Sequence, residues 1–312
     1  MRRNRPAVEV DLSTSVGEVS FPNPIMAASG TAGYGSELAS YFDLGQIAAV
    51  VSKSLLIDPW PGNPPPRVHE TASGMINAVG LQGPGVAHWL ADELPALISA
   101  GARVVASVWG RSVDDYARVS EALADAPIEV VAVEVNISCP NTEAGGAMFA
   151  HDPEAAAAAV AATEAVGRPR WAKLSPNTAE LVAVAGAVAE AGAAAVTLTN
   201  TVMGMVIDTE RRRPLLGNRT GGLSGPAIRP VAVRAVFETR AAYPHLPIIG
   251  VGGVASAADA VEFLLAGAQA VQIGTATFAD PRATLLVRDQ LRQWCAEHGV
   301  TSVAELIGAA HR

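Results

Sequence analysis

Cysteine is nearly absent: the 312 residues contain two, Cys139 and Cys295. Two thiols so far apart exclude a disulfide framework and fit a reducing compartment. They are also too few for an iron–sulfur cluster within this chain, which normally takes four thiolates. No run of about 18 uncharged apolar residues occurs, so no membrane-spanning helix is expected. The basic start, Met1 to Arg5, is followed by no apolar signal-peptide core. Positive charge is in the minority, 22 Lys and Arg against 30 Asp and Glu, and the net charge of −8 argues against a nucleic-acid surface. A GxGxxG dinucleotide loop, a phosphate-binding P-loop and a histidine-based zinc spacing are all missing. The expectation is a soluble, cytoplasmic protein with no metal of its own.

Apolar residues, in contrast, make up 50% of the chain and charged ones only 17%, enough to bury a large core. Two period-two stretches, 8–12 and 16–21, read as a hairpin ahead of the main fold, closing the bottom of a barrel. Eight short apolar runs follow, at 24–28, 48–53, 103–108, 130–135, 171–174, 195–199, 247–250 and 270–273. Most alternate with helical stretches, at 86–100, 113–123, 153–166, 179–191, 230–242 and 257–266. Asp152 reads as an N-cap, with Pro153 at the first helical position. This alternation predicts a (β/α)8 TIM barrel with an N-terminal β-hairpin, one domain over residues 1–312. Pro59 to Leu81 and Thr220 to Pro226 read as long glycine-rich loops, and loops of such length are commonly functional.

In a parallel barrel, ligands bind at the carboxyl ends of the strands. There the chain places Lys53, Asn77, Asn136, Cys139, Asn141, Lys173, Asn200 and Thr201. Pro140 must end the fourth strand, leaving the Cys139 thiol on a loop between two carboxamides. Taken alone, that thiol is equally readable as an inert buried hydrophobe. Carboxamides both donate and accept, which suits the alternating edge of a pyrimidine-like ring. Gly252, Gly253, Gly274 and Thr275, after the last two strands, read as the usual barrel phosphate cradle. Arg211 to Arg213 is the one basic cluster, read first as a solvated loop and second as an anion contact.

Several motifs together carry a specific resemblance: AASG at 27–30, NPPPRVHETASGMINAVGLQGPG at 63–85, NISCPN at 136–141 and KLSPN at 173–177. They continue with NTVMG at 200–204, TGGLSGPAIRPVA at 220–232, IIGVGGV at 248–254 and IGTATFADP at 273–281. The chain resembles the class 1 dihydroorotate dehydrogenases, and the wording of 70–85 and 220–230 is most similar to class 1B. The resemblance implies one FMN per chain and oxidation of dihydroorotate to orotate in pyrimidine biosynthesis. It also implies a partner subunit holding FAD and a 2Fe–2S cluster that passes electrons to NAD, around a homodimer core in a heterotetramer.

By the same resemblance Cys139 is the general base. Lys53, the run Asn77, Ala78, Val79, Gly80 and Leu81, then Asn136, Asn141, Asn200 and Thr201 hold the substrate. Ser29, Lys53, Ser54, Ser107, Asn136, Lys173 and Thr199 contact the flavin ring and ribityl chain. Gly225, Gly252, Gly253, Gly274 and Thr275 take its far side and phosphate. One departure stands out: the family often has Asn-Val-Ala-Gly after the third strand, whereas this chain has Ser107-Val108-Trp109-Gly110. The alternatives are a fumarate-dependent class 1A enzyme, a relative acting on another dihydropyrimidine, and a flavin- or phosphate-binding barrel without catalysis.

Overall fold

The computed structural model describes residues 9–138 and 149–312. Eight parallel strands close into a barrel: β3 (Ile25–Ala27), β4 (Val50–Val51), β7 (Val104–Val108), β8 (Val130–Asn136), β9 (Arg170–Leu174), β10 (Ala195–Leu198), β15 (Ile248–Val251) and β16 (Ala270–Ile273), the last pairing back onto β3. These are the eight expected strands, trimmed by a residue or more at several ends. Burial on both faces explains why they read as continuous apolar runs rather than alternating ones.

Ahead of the barrel lies the expected hairpin, β1 (Thr14–Val16) with β2 (Val19–Phe21), joined through Gly17 at φ +59°. Its first arm is not the stretch expected: of residues 9–12, Asp11 instead bridges in parallel to Ser302 near the other end of the chain. Val16 and Phe21 point into the barrel and pack with Met26, Val51, Val105, Ala132, Trp171 and Ala270. Phe21 meets Trp171 edge to face at 6.2 Å. The hairpin is therefore a plug for the amino-terminal end of the barrel.

Helices cover the outside. α3 (Val113–Leu123) starts where Ser112 accepts the Asp115 amide, and it buries Tyr116, Val119 and Leu123 at helical spacing. α4 (Pro153–Ala161) opens as expected, with the Asp152 carboxylate accepting from Glu154 and Ala155. It ends sooner than expected, and a short 3-10 turn continues over Glu164–Val166. α5 (Leu181–Glu190), α6 (Arg229–Ala242) and α7 (Ala257–Ala266) lie where expected. The helix expected over 86–100 forms as α1 (Val86–His88), a wider π turn (Trp89–Glu93) and α2 (Leu94–Ser99). Pro95, at the start of α2, has no N–H to give the preceding turn, so regular α bonding cannot run through it. α8 (Ala276–Ala279) and α9 (Ala283–His298) complete the layer.

Both stretches read as loops contain strands. β5 (Val68–Thr71) and β6 (Gly74–Asn77) form a hairpin, and β14 (Gly221–Ser224) pairs with β6 and with β11 (Val202–Gly204). The resulting four-stranded antiparallel sheet stands over the carboxyl rim. It rests on a small core of Ile76, Ala78 and Leu216. Beside it, β12 (Ile207–Asp208) and β13 (Arg213–Pro214) make a two-stranded ribbon.

Candidate functional site

A cavity of about 520 Å³ opens between the carboxyl ends of the barrel strands and the rim sheet. That is the size and place of a small-molecule site in this architecture. No acidic side chain is among its described lining residues, while Lys53, Arg111 and Lys173 all reach it. Arg111 is already paired with Asp115 at 3.1 Å.

The carboxamides arrive from three directions. Asn136, the last residue of β8, gives its Nδ2 to Ser54 Oγ at 3.1 Å, and its Oδ1 accepts from the Ser138 amide at 3.3 Å. Asn200 follows β10; its Nδ2 meets Asn136 Oδ1 at 3.5 Å and also Ser138 Oγ. Asn77 comes from the rim sheet rather than from a barrel strand, and donates to Gly222 O at 3.3 Å. Thr201 sits against Gly222, where any Cβ would fall 2.0 Å from Thr201 Oγ1, so only glycine fits. The run from Asn77 to Leu81 lines the cavity as expected. Gly80 and Leu81 both have positive φ, +74° and +59°, and turn the chain sharply there.

Supports for that run escaped the sequence reading. Asn63 Nδ2 donates to Ala78 O at 3.1 Å, and Trp60 Nε1 donates to Gly80 O at 3.0 Å. Asn177 is a further lining carboxamide, giving one bond to Thr201 O at 3.0 Å and accepting one from the Met203 amide. It lies within a motif that carried the resemblance, which was the available signal. Trp109, the bulky departure, is buried in the cavity wall with its ring edge to face with Trp60 at 6.0 Å. The Arg111 guanidinium lies over that same Trp60 ring, 5.3 Å from its centroid.

Ser29, Ser54 and Thr199 also line the cavity, as do Gly225, Gly252, Gly253, Gly274 and Thr275. Gly253 has φ +74°, and a Cβ there would stand 2.7 Å from Gly225 O; Gly225 has φ +94°, with Gly74 Cα at 2.7 Å. The backbone is thus bare and close-packed where a phosphate is expected. Thr199 Oγ1 is buried without a hydrogen-bond partner among the described residues, although it borders the cavity. A buried hydroxyl in that condition calls for a ligand or water. Ser107 differs from expectation: it is fully buried behind the wall and does not line the cavity. Its hydroxyl bonds Ser54 Oγ at 2.9 Å, so its short side chain serves the site through Ser54.

The two lysines are also unlike each other. Lys53, two residues past β4, lines the cavity, half-buried beside Gly30. Lys173 reaches the same cavity from within β9, its side chain only 7% exposed and paired to Glu134 Oε1 at 3.3 Å. The arginine cluster is a turn on the β12–β13 ribbon. Arg211 is exposed and pairs with Asp208 at 3.6 Å, and none of the three arginines lines the cavity. Cys139, Asn141 and the other residues of 139–148 lie outside the described residues; Ser138, immediately before them, is in the cavity wall.

Among the described residues no cluster of His, Cys, Asp or Glu could hold a metal, and no helix is long and apolar enough to cross a membrane. A closed parallel barrel whose rim gathers glycines, carboxamides and lysines around one cavity defines a (β/α)8-barrel protein with a small-molecule site. The chain belongs to the dihydroorotate dehydrogenase family, whose model matches residues 11–294. It is similar to the catalytic subunit of dihydroorotate dehydrogenase B (NAD+) from Desulforudis audaxviator, 49% identical over 98% of this chain and 99% of that one. The subunits of the same name from Geotalea uraniireducens and Trichlorobacter lovleyi are 47% and 48% identical, each over 96% of this chain and 98% of the relative.

Proposed function

We propose that this chain is the FMN-dependent subunit that oxidises dihydroorotate to orotate, its electrons leaving through a partner subunit to NAD. The observation that carries the reading is the one cavity that Asn77, Asn136, Asn177 and Asn200 line together with the glycine cradle. FMN suits the residues present: the cradle accepts a phosphate, and unpartnered Thr199 Oγ1 supplies a polar contact along the way. When bound, FMN supplies the acceptor for a hydride.

The chain's own residues do the rest. The carboxamides grip the N–H and C=O edge of the pyrimidine, and Lys53 meets its carboxylate. Trp60 and Asn63 hold the 77–81 run in place, so the ring is fixed from one side by a pre-formed wall. Cys139, as thiolate, takes the carbon-bound proton; its neighbour Ser138 ties this end of β8 to Asn136 and Asn200. FAD and an iron–sulfur cluster belong to the partner. A homodimer of this chain with two partner subunits is the assembly we expect.

The test is an anaerobic visible spectrum of the purified chain before and after dihydroorotate. A flavin band that bleaches on addition is the expected result. Absence of flavin after reconstitution with FMN would sink the reading. Cys139→Ala should slow that bleaching by about 10²-fold or more while leaving the flavin bound; an unchanged rate would remove Cys139 from its role.

A further inference from the structure

The barrel interior changes character along its axis. Its lower layer, above the hairpin plug, is apolar: Val105, Ala132, Trp171, Ala195 and Ala270. Two residues further along β8, β9 and β16, the inward positions are Glu134, Lys173 and Gln272. Glu134 and Gln272 are fully buried, and Lys173 is nearly so. Glu134 Oε1 accepts from Lys173 Nζ at 3.3 Å, and its Oε2 accepts from Gln272 Nε2 at 2.8 Å. Both carboxylate oxygens are thus engaged, by groups from the strands on either side of the cavity floor.

Stability does not account for this trio. A buried ion pair gives little net stabilisation, because desolvation offsets the attraction, and apolar residues of similar volume usually serve as well. What distinguishes the pair is its asymmetry towards the cavity. Lys173 lines the cavity and Glu134 does not. Any action of Glu134 on a ligand therefore passes through Lys173.

We propose that Glu134 is a positioning residue that fixes Lys173 Nζ against the flavin ring and neutralises its charge, holding the reduction potential of bound FMN low. The inference rests on the flavin reading. With Glu134 in place, Lys173 offers the ring a directed N–H and little net field. Without the carboxylate, a buried and uncompensated ammonium would favour whichever flavin state carries more negative charge, namely the reduced one. Lys53 and Arg111 are the other described charged side chains lining the cavity. Arg111 is compensated by Asp115, so Lys173 is not the only cation with its own carboxylate.

Two variants of the FMN-loaded chain test this by spectroelectrochemical titration at a single pH. Glu134→Gln removes the charge at nearly constant shape. At a fixed electrode potential it should raise the reduced-to-oxidised flavin ratio by about tenfold or more. Glu134→Asp keeps the charge but draws it back by one methylene, so its shift should have the same sign and be smaller. Wild-type potentials in both variants, with FMN bound, would overturn the proposal. If Glu134→Gln cannot be obtained with FMN, Glu134→Asp decides alone: a raised ratio supports the role and an unchanged one removes it. A wild-type chain that takes up no FMN would instead fail the functional reading, and the two failures are separately visible in the absorption spectrum.

Discussion

Of the chain's two thiols, Cys295 is the one among the described residues. Cys295 is fully buried on the inner face of α9, and burial pushes its pKa up; the negative charge of Glu305 adds to this, while Arg292 opposes it. The folded state therefore keeps Cys295 as the thiol at pH values where an unfolded chain begins to ionise it. The stability linked to that difference is complete below the ordinary thiol pKa and is lost as pH rises through the folded one. Since the thiolate is the reactive form, Cys295 should resist alkylation in the native protein. Iodoacetamide at pH 8 is expected to add one group per native chain, at Cys139, and two after unfolding, counted by mass spectrometry. Cys139→Ser should leave the native chain unlabelled. Residues that end strands were legible in this way from sequence: Lys53, Asn136 and Asn200 each follow an apolar run, where a polar side chain stands out. Glu134 was not, since within such a run it reads as a mere interruption, and its role depends on partners from β9 and β16. Nor was the retreat of Ser107 behind the wall, which follows from the length of its side chain and the nearness of Ser54.

Among the elements, the hairpin at the amino-terminal end makes the clearest energetic prediction. Phe21 is 2% exposed and fills the barrel mouth against Trp171. Phe21→Ala should cost about 3–5 kcal/mol, through lost burial and the cavity left behind. Equilibrium denaturation in urea would measure it, with little change expected in flavin content, because the plug and the rim lie at opposite ends. The barrel strands and most helices could be read from apolar runs and helical spacing. The β5–β6 hairpin could not. Of β5, Val68, His69 and Glu70 are all exposed, so it shows no alternation, and its proline-rich approach reads as a loop. β14 is hidden for a related reason: glycines occupy the positions that touch Thr201 and Asn77, and glycine carries no strand signal.

For the whole molecule, the outstanding matter is where electrons go. On the proposed reading, electrons leave the flavin of this chain for NAD through a partner subunit. The purified chain alone should therefore oxidise dihydroorotate with a small redox dye as acceptor, and show at most a trace of NAD reduction. Adding the electron-transfer subunit should restore it. Robust fumarate-dependent turnover by the isolated chain would instead place it with the partner-independent enzymes.

The wall of the site has two authors. Asn77 and Gly222, which face each other in the rim sheet, are 145 residues apart in the chain and belong to excursions from different barrel strands. Slipping either by one residue would turn Asn77 from the cavity to the outside. The two excursions are consequently bound to a common history: an insertion or deletion in one can persist only with a matching change in the other. Transplanting either alone onto a related barrel would carry over the letters of the site without its wall.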